Sequence, residues 1–211
     1  RSPRFGAEPV LADVPVELEG AAGTSVRAAE KKLAARLVKR YDSAIAARKD
    51  AADIAGVDLA VVRQVCAKEL RNADEDKDGE NVFAMMRRIG KAKAELAADY
   101  TAQLSHTAGK VVFFAKHIDV MDVAEELFEK RGIGFSSIRG NQTTKVRQAN
   151  IDAFVNDADV QIIVCSLTAA GVGINLQVSS NVVLAELSWT AAEQTQAIDR
   201  VHRIGQEMPV T

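Results

Sequence analysis

Near the end of the 211-residue chain, Gln196, Arg200 and Arg203 stand at i, i+4 and i+7, a spacing that would put them on one helical face. A guanidinium keeps its proton and presents a planar fork of donors, which suits a phosphate with several anionic oxygens. Two guanidinium groups on one stripe repel each other unless an anion lies between them. The spacing is consistent with a polyphosphate, and equally with a surface stripe balanced by Glu193 and Asp199. Upstream, Ser166 to Leu176 (SLTAAGVGINL) contains Gly171 and Gly173, which leave the backbone free to turn N–H groups toward an anion. Leu176 stands where the third glycine of a dinucleotide fingerprint belongs, so that fingerprint fails, and a tight turn explains the two glycines as well. The Walker A pattern is absent, because Gly109-Lys110 and Gly90-Lys91 lack the preceding glycine and the following Ser or Thr. No Asp-Glu-Ala-His-like box follows a strand. The ligands that hold Mg²⁺ and the β-phosphate in a P-loop ATPase are therefore not in this sequence, and catalytic arginines here would act as fingers toward a nucleotide held elsewhere.

The elements that must position these residues follow from periodicity. Residues 1–23 hold three of the four prolines and read as an extended connector. From Thr24 to Ala108 the pattern is helical and forms an appendage. Val26, Leu33, Leu37, Tyr41 and Ile45 recur at helical spacing, a second helix covers Leu59 to Arg71, and a third carries Val82, Met86, Ile89, Leu96, Tyr100 and Leu104. The acidic run between the last two only loosely resembles a calcium loop, since its glycine and closing glutamate are misplaced. After Gly109 the period changes. Val111 to Ala115 (VVFFA) is continuous and apolar, as in a strand buried on both faces. Strands at Phe135–Ile138, Val160–Cys165 and Val182–Leu187 alternate with helices at Ile118–Arg131, Thr144–Val155 and Ala191–Ile204. That order predicts an α/β fold with a parallel sheet over residues 109–211. In such a sheet ligands gather at the carboxyl ends of the strands, where residues 139–143, 166–176 and 188–190 fall.

Composition narrows the class. The apolar fraction of 47% supports a real core, and no run of about 18 uncharged apolar residues exists to span a membrane. Residues 1–10 lack the apolar segment of a signal peptide. The formal net charge is −2, so any contact with phosphates must come from placed residues. Two cysteines, Cys66 and Cys165, fit a reducing compartment, and the sequon at Asn141 reads as chance. His106, His117 and His202 show no ligand spacing, so no metal site is expected in this chain.

The segment Gln196 to Gln206 (QAIDRVHRIGQ) resembles motif VI of the Swi/Snf-related ATPases of helicase superfamily two, with the Gly205-Gln206 ending of the DNA-translocating branch. Ser166 to Leu176 resembles motif V, and Val112 to His117 (VFFAKH) the motif IV strand. Ile138-Arg139-Gly140, with Arg147 and Phe154, resembles another family segment. Ala185 to Trp189 (AELSW), Ala169-Ala170 and the helix at Ile89 to Lys93 are similar to the annealing-helicase subgroup. The resemblance implies a RecA-like second motor lobe whose first lobe supplies the Mg²⁺ and β-phosphate ligands. It implies ATP and Mg²⁺ as cofactors, and double-stranded or branched DNA as partner. Arg200 and Arg203 would be the arginine fingers. Gly171, Gly173, Asn175 and Gln196 would form the nucleotide face, Ser166 and Thr168 would touch the DNA backbone, and Trp189 would couple the two or simply anchor the core. Gln196 and His202 are candidates for orienting the arginines. The location implied is cytoplasmic in a bacterium or nuclear in a eukaryote. A non-catalytic DNA- or protein-binding module on the same fold is the alternative, and an unrelated Rossmann-type enzyme a third.

Overall fold

The structure, a computed structural model, describes residues 8–48, 56–73, 82–168, 174–186, 191–202, 206 and 208–211. It contains two compact units, Glu17–Ala92 and a lobe made of Arg1–Val16 with Lys93–Thr211.

In the first unit α1 (Gly20–Ala46) begins four residues before Thr24, and α2 is Leu59–Ala73. Asp58 caps α2: its Oδ1 accepts from the N–H groups of Ala60 at 2.8 Å and Val61 at 3.2 Å. The Val61 N–H, followed by that of Ala60 and by Arg48, holds the Asp58 carboxyl below its ordinary range despite an opposing desolvation. Tyr41 on α1 accepts from the Asp58 N–H at 2.9 Å, which ties the start of α2 to α1. Glu69 of α2 is buried and takes Arg36 at 2.6 Å and Arg40, both from α1. A buried carboxylate persists only with such partners.

Helix α3 (Val82–Ala108) belongs to the lobe from Lys93 onward. The lobe continues with β1 (Val111–Ala115), α4 (Ile118–Lys130), β2 (Gly134–Ile138), α5 (Thr144–Asn156), β3 (Val160–Ser166), β4 (Asn181–Leu184) and α6 (Ala191–Ile198). The sheet order is β2-β3-β1-β4 and every pairing is parallel. Central β1 is buried along its whole length, so the VVFFA run does what its composition requires. Its side chains still alternate. Val112 and Phe114 join Ile163, Cys165, Ile138 and Phe154 in one core. Phe113 and Ala115 join Ile162, Val164, Met121 and Phe128 in the other. The second core is closed by Ala94, Ala98 and Ala102, a row of small residues four apart on α3 that lets the helix lie close to its neighbours. Phe113 and Phe128 meet edge to face, with ring centroids 6.2 Å apart.

In the lobe, two boundaries differ from the periodicity by more than one residue. β4 ends at Leu184 rather than Leu187, and α6 ends at Ile198 rather than Ile204. After Ile198 the backbone tightens into i−3 bonds, from Arg200 N to Ala197 O at 3.2 Å and from Val201 N to Ile198 O at 3.0 Å. The apolar positions Ala197 and Val201 keep their predicted burial. Gln196 lies on α6 and Arg200 in the turn after it, so these two do not share one regular helical face.

Gly134 opens β2 at a register shift. A Cβ there would stand 2.0 Å from the carbonyl oxygen of Asp159. Gly134→Ala should destabilise the lobe by about 1–3 kcal/mol, read as a lower denaturation midpoint. Asp58→Asn keeps a cap acceptor but cannot titrate. The lowered Asp58 pKa contributes stability above the ordinary carboxylate range, and that contribution is lost as pH falls through the folded value. The variant should therefore lose less helical ellipticity than the parent between neutral pH and about pH 3.

Candidate functional site at the carboxyl end of the sheet

The carboxyl ends of the four strands release Arg139 after β2, Leu167 and Thr168 after β3, Lys116 and His117 after β1, and Ala185 and Glu186 after β4. Backbone bonds extend the ladder beyond the strands, from Leu167 N to Ala115 O and from Ala185 N to Phe114 O, both 2.9 Å.

Glu186 is the buried charge of this edge, 5% exposed. Its Oε2 accepts from the N–H groups of Lys116 at 2.8 Å and His117 at 2.9 Å. Its Oε1 lies 2.6 Å from His117 Nδ1. These contacts fasten the end of β4 to the β1–α4 turn, and the His117 N–H, at the N-cap of α4, is one that a helix start leaves without an intrahelical partner. Lys93 on α3 feels this charge. Desolvation pushes its pKa down and Glu186 pulls it back up. Because its lone pairs are directed to these donors, Glu186 fits a structural latch and not a metal ligand. Sequence reading treated VFFAKH and AELSW separately and missed this pairing. The signal was a glutamate at the end of an apolar strand, a place where a buried carboxylate must find donors.

Arg139 is held by Asp122 and Glu125, each at 2.7 Å. It is partly desolvated, but the two carboxylates more than compensate and raise its pKa. Gln142 accepts from the Arg139 N–H at 2.9 Å and shapes the loop. Arg147 donates to the Gly140 carbonyl at 2.7 Å, and Phe154 is fully buried. In this structure the Arg139, Arg147 and Phe154 pattern thus builds the β2–α5 connection.

Among the residues expected at the site, Ser166 is the buried last residue of β3. Its Oγ lies 2.9 Å from Thr168 Oγ1, and Thr168 is exposed. Asn175 is exposed and forms an Asx turn, its Oδ1 accepting from the Gln177 N–H at 3.2 Å. Ile174 and Leu176 on either side are buried in the core with Ala197 and Val201. Gln196 is exposed, and Arg200 and His202 are half-buried. Gly171, Gly173, Trp189 and Arg203 lie outside the described residues.

The structure joins the two motif-like segments directly. The Leu176 N–H donates to the Arg200 carbonyl at 3.0 Å. The Gln206 amide nitrogen lies 3.0 Å from the Gln177 carbonyl oxygen and 2.9 Å from that of Ser179. Gln206 entered the sequence reading only as part of a motif ending. Its clasp on residues 177–179 needed the tertiary structure.

With this geometry in hand, the comparisons with known proteins fall into place. The chain belongs to the helicase conserved C-terminal domain family, whose profile matches residues 92–205. Its relatives are of the Swi/Snf-related kind. It is 36% identical to the DNA repair protein rad8 of Schizosaccharomyces pombe over 135 residues, 63% of this chain and 12% of that protein. It is 41% identical over 98 residues to a Caenorhabditis elegans homolog of SWI/SNF-related matrix-associated actin-dependent regulator of chromatin subfamily A-like protein 1, covering 46% of this chain and 14% of that one. The crystal structure of the C-terminal part of the Fun30 ATPase domain superposes with a TM-score of 0.51 at 32% identity, over 57% of this chain and 38% of that one. The chain therefore spans only a small part of the length of these curated relatives.

Glu186→Ala would leave the Lys116 and His117 N–H groups without their acceptor. It should cost about 2–4 kcal/mol in chemical denaturation, with Glu186→Gln costing less because it keeps an acceptor oxygen.

Proposed function

We propose that this chain is the second motor lobe of an ATP-driven translocase or remodeller of double-stranded DNA, with Arg200 and Arg203 as fingers toward a nucleotide held by a first lobe. The observation that supports the reading is the Leu176-to-Arg200 backbone bond, which brings the turn that carries Arg200 beside Asn175 and Leu176. Bound with Mg²⁺, ATP supplies the phosphoryl group whose transfer to water drives the motor. The first lobe holds the Mg²⁺ and the β-phosphate, since the carboxylate at this sheet edge, Glu186, is already committed to Lys116 and His117. Arg200 and Arg203 neutralise charge that grows on the transferring group. Gly171, Gly173, Asn175 and Gln196 line the same wall.

Thr168 takes the DNA backbone contact, because it is exposed while Ser166 is buried and orients it through the 2.9 Å hydroxyl pair. Such contacts position a duplex without reading its sequence. Trp189 couples the DNA contact to the arginine-bearing segment. The same reading puts the chain nearest the annealing-helicase subgroup, on Ala185 to Trp189 and on Ile89 to Lys93.

In the protein carrying both lobes, Arg203→Ala or Arg200→Ala should lower DNA-stimulated ATP turnover by about 10³-fold or more while leaving DNA binding intact. The purified 211-residue chain should not hydrolyse ATP. Unchanged turnover in both variants would reject the finger assignment and leave a binding module.

A further inference from the structure

Glu186 does more to His117 than fasten it, because its two oxygens divide their work. Oε2 accepts from the backbone N–H groups of Lys116 and His117 at 2.8 and 2.9 Å, and Oε1 lies 2.6 Å from His117 Nδ1. An ionised carboxylate only accepts, so the hydrogen of that contact belongs to Nδ1. The second ring nitrogen, Nε2, has no bond among the described residues and is not sealed from solvent. The side chain is 24% exposed at the carboxyl end of the sheet. With Nδ1–H fixed, the neutral ring offers only a lone pair at Nε2, whereas the protonated ring offers an N–H donor there. One accessible nitrogen thus changes from acceptor to donor as the ring takes up a proton.

The place of this nitrogen in the sheet names its ligand. β1 and β3 pair through Ala115↔Ser166, and the Leu167 N–H donates to the Ala115 carbonyl at 2.9 Å. Continued by two residues, that register sets His117 beside Thr168, on segments about 4.8 Å apart. Thr168 is exposed and takes the DNA-backbone contact in the function proposed above, on which this step rests. A phosphodiester oxygen accepts and needs a donor. We propose that His117 is a further contact to the DNA backbone beside Thr168, and that Glu186, by locking the hydrogen on Nδ1, makes this contact conditional on protonation of the ring. The charged groups at this end of the elements that meet here are Glu186 after β4, Lys93 on α3, Lys116 after β1 and Asp119 in the first turn of α4. His117→Gln separates the titration of the ring from theirs.

Glu186→Gln separates positioning from mere support. The two backbone N–H groups select the amide oxygen for the place of Oε2, which puts the amide NH₂ opposite Nδ1. Nδ1 must then accept, so the neutral ring carries its hydrogen on Nε2 and donates to phosphate without titrating.

The test is the affinity of the protein carrying both lobes for a fluorescent duplex, at constant ionic strength, from about pH 5.5 to about pH 8.5. The parent should lose about tenfold in affinity across that range. His117→Gln should show none of that loss, and Glu186→Gln should stay near the parent's low-pH affinity throughout. A flat parent profile, a His117→Gln profile that still falls, or a Glu186→Gln profile that falls like the parent's overturns the proposal. Should Glu186→Gln fail to fold, the NMR shifts of the His117 ring nitrogens in the parent answer the same question. At about pH 8.5 a hydrogen on Nδ1 supports the lock, and one on Nε2 overturns it. ATP affinity should be equal in the parent and His117→Gln; a loss there makes the nucleotide the occupant and overturns the DNA assignment. Duplex bound with a flat profile, together with loss of turnover in Arg203→Ala, sinks the His117 contact and leaves the motor reading standing. No duplex binding at any pH sinks the DNA reading itself, and this contact with it.

Discussion

The arrangement of the lobe's sheet edge depends on one backbone hydrogen bond, from the N–H of Leu176 to the carbonyl of Arg200. It joins the chain that leaves β3 to the turn that leaves α6. Neither segment is regular there, so the Leu176 N–H and the Arg200 carbonyl find each other instead of helix or ladder partners, and a buried unpaired amide is expensive. The bond is placed by packing: Ile174, Leu176, Ala197 and Val201 share one core cluster with the central strand. Gln206 adds a clasp on residues 177–179. A charged side chain on this turn is therefore carried by a rigid base, which is what a catalytic finger requires.

Glu186 does the same for the other side of the edge. A carboxylate at 5% exposure survives because two backbone N–H groups and His117 meet it. The result is that β4, β1 and the start of α4 end in one fixed constellation. Arg139, held by two carboxylates, performs an analogous task at the β2 end. The polar groups of this edge divide accordingly into those already committed within the lobe and those, such as Thr168 and Gln196, that face outward.

The charge of −2 for the whole chain conceals a division of labour. Helices α1 and α2 carry nine cations against three carboxylates, whereas Glu186, Asp122 and Glu125 of the lobe fasten its own strand ends. A net figure averages over these and says little about where a polyanion would settle.

Much of the lobe was legible in the sequence because its causes are local. VVFFA reads as a doubly buried strand, the alternation of strand and helix demands a parallel sheet, and the apolar period of Ala197 and Val201 names their buried face. The motif VI segment identified the family for the same reason, since its residues are contiguous. The end of α6 was not legible. QAIDRVHRI has no glycine or proline before residue 205, so periodicity alone continues the helix, while the structure tightens it after Ile198 and hands the Arg200 carbonyl to Leu176. The Glu186–His117 latch and the Arg36–Glu69–Arg40 cluster were hidden too, because their partners lie 69 and about 30 residues apart. Sequence alone determined the class of fold and the chemical character of the arginine segment, both written in local pattern. Only the tertiary structure decided which polar groups are consumed in holding the lobe and which remain to act, because that depends on partners the folded chain brings together from distant positions.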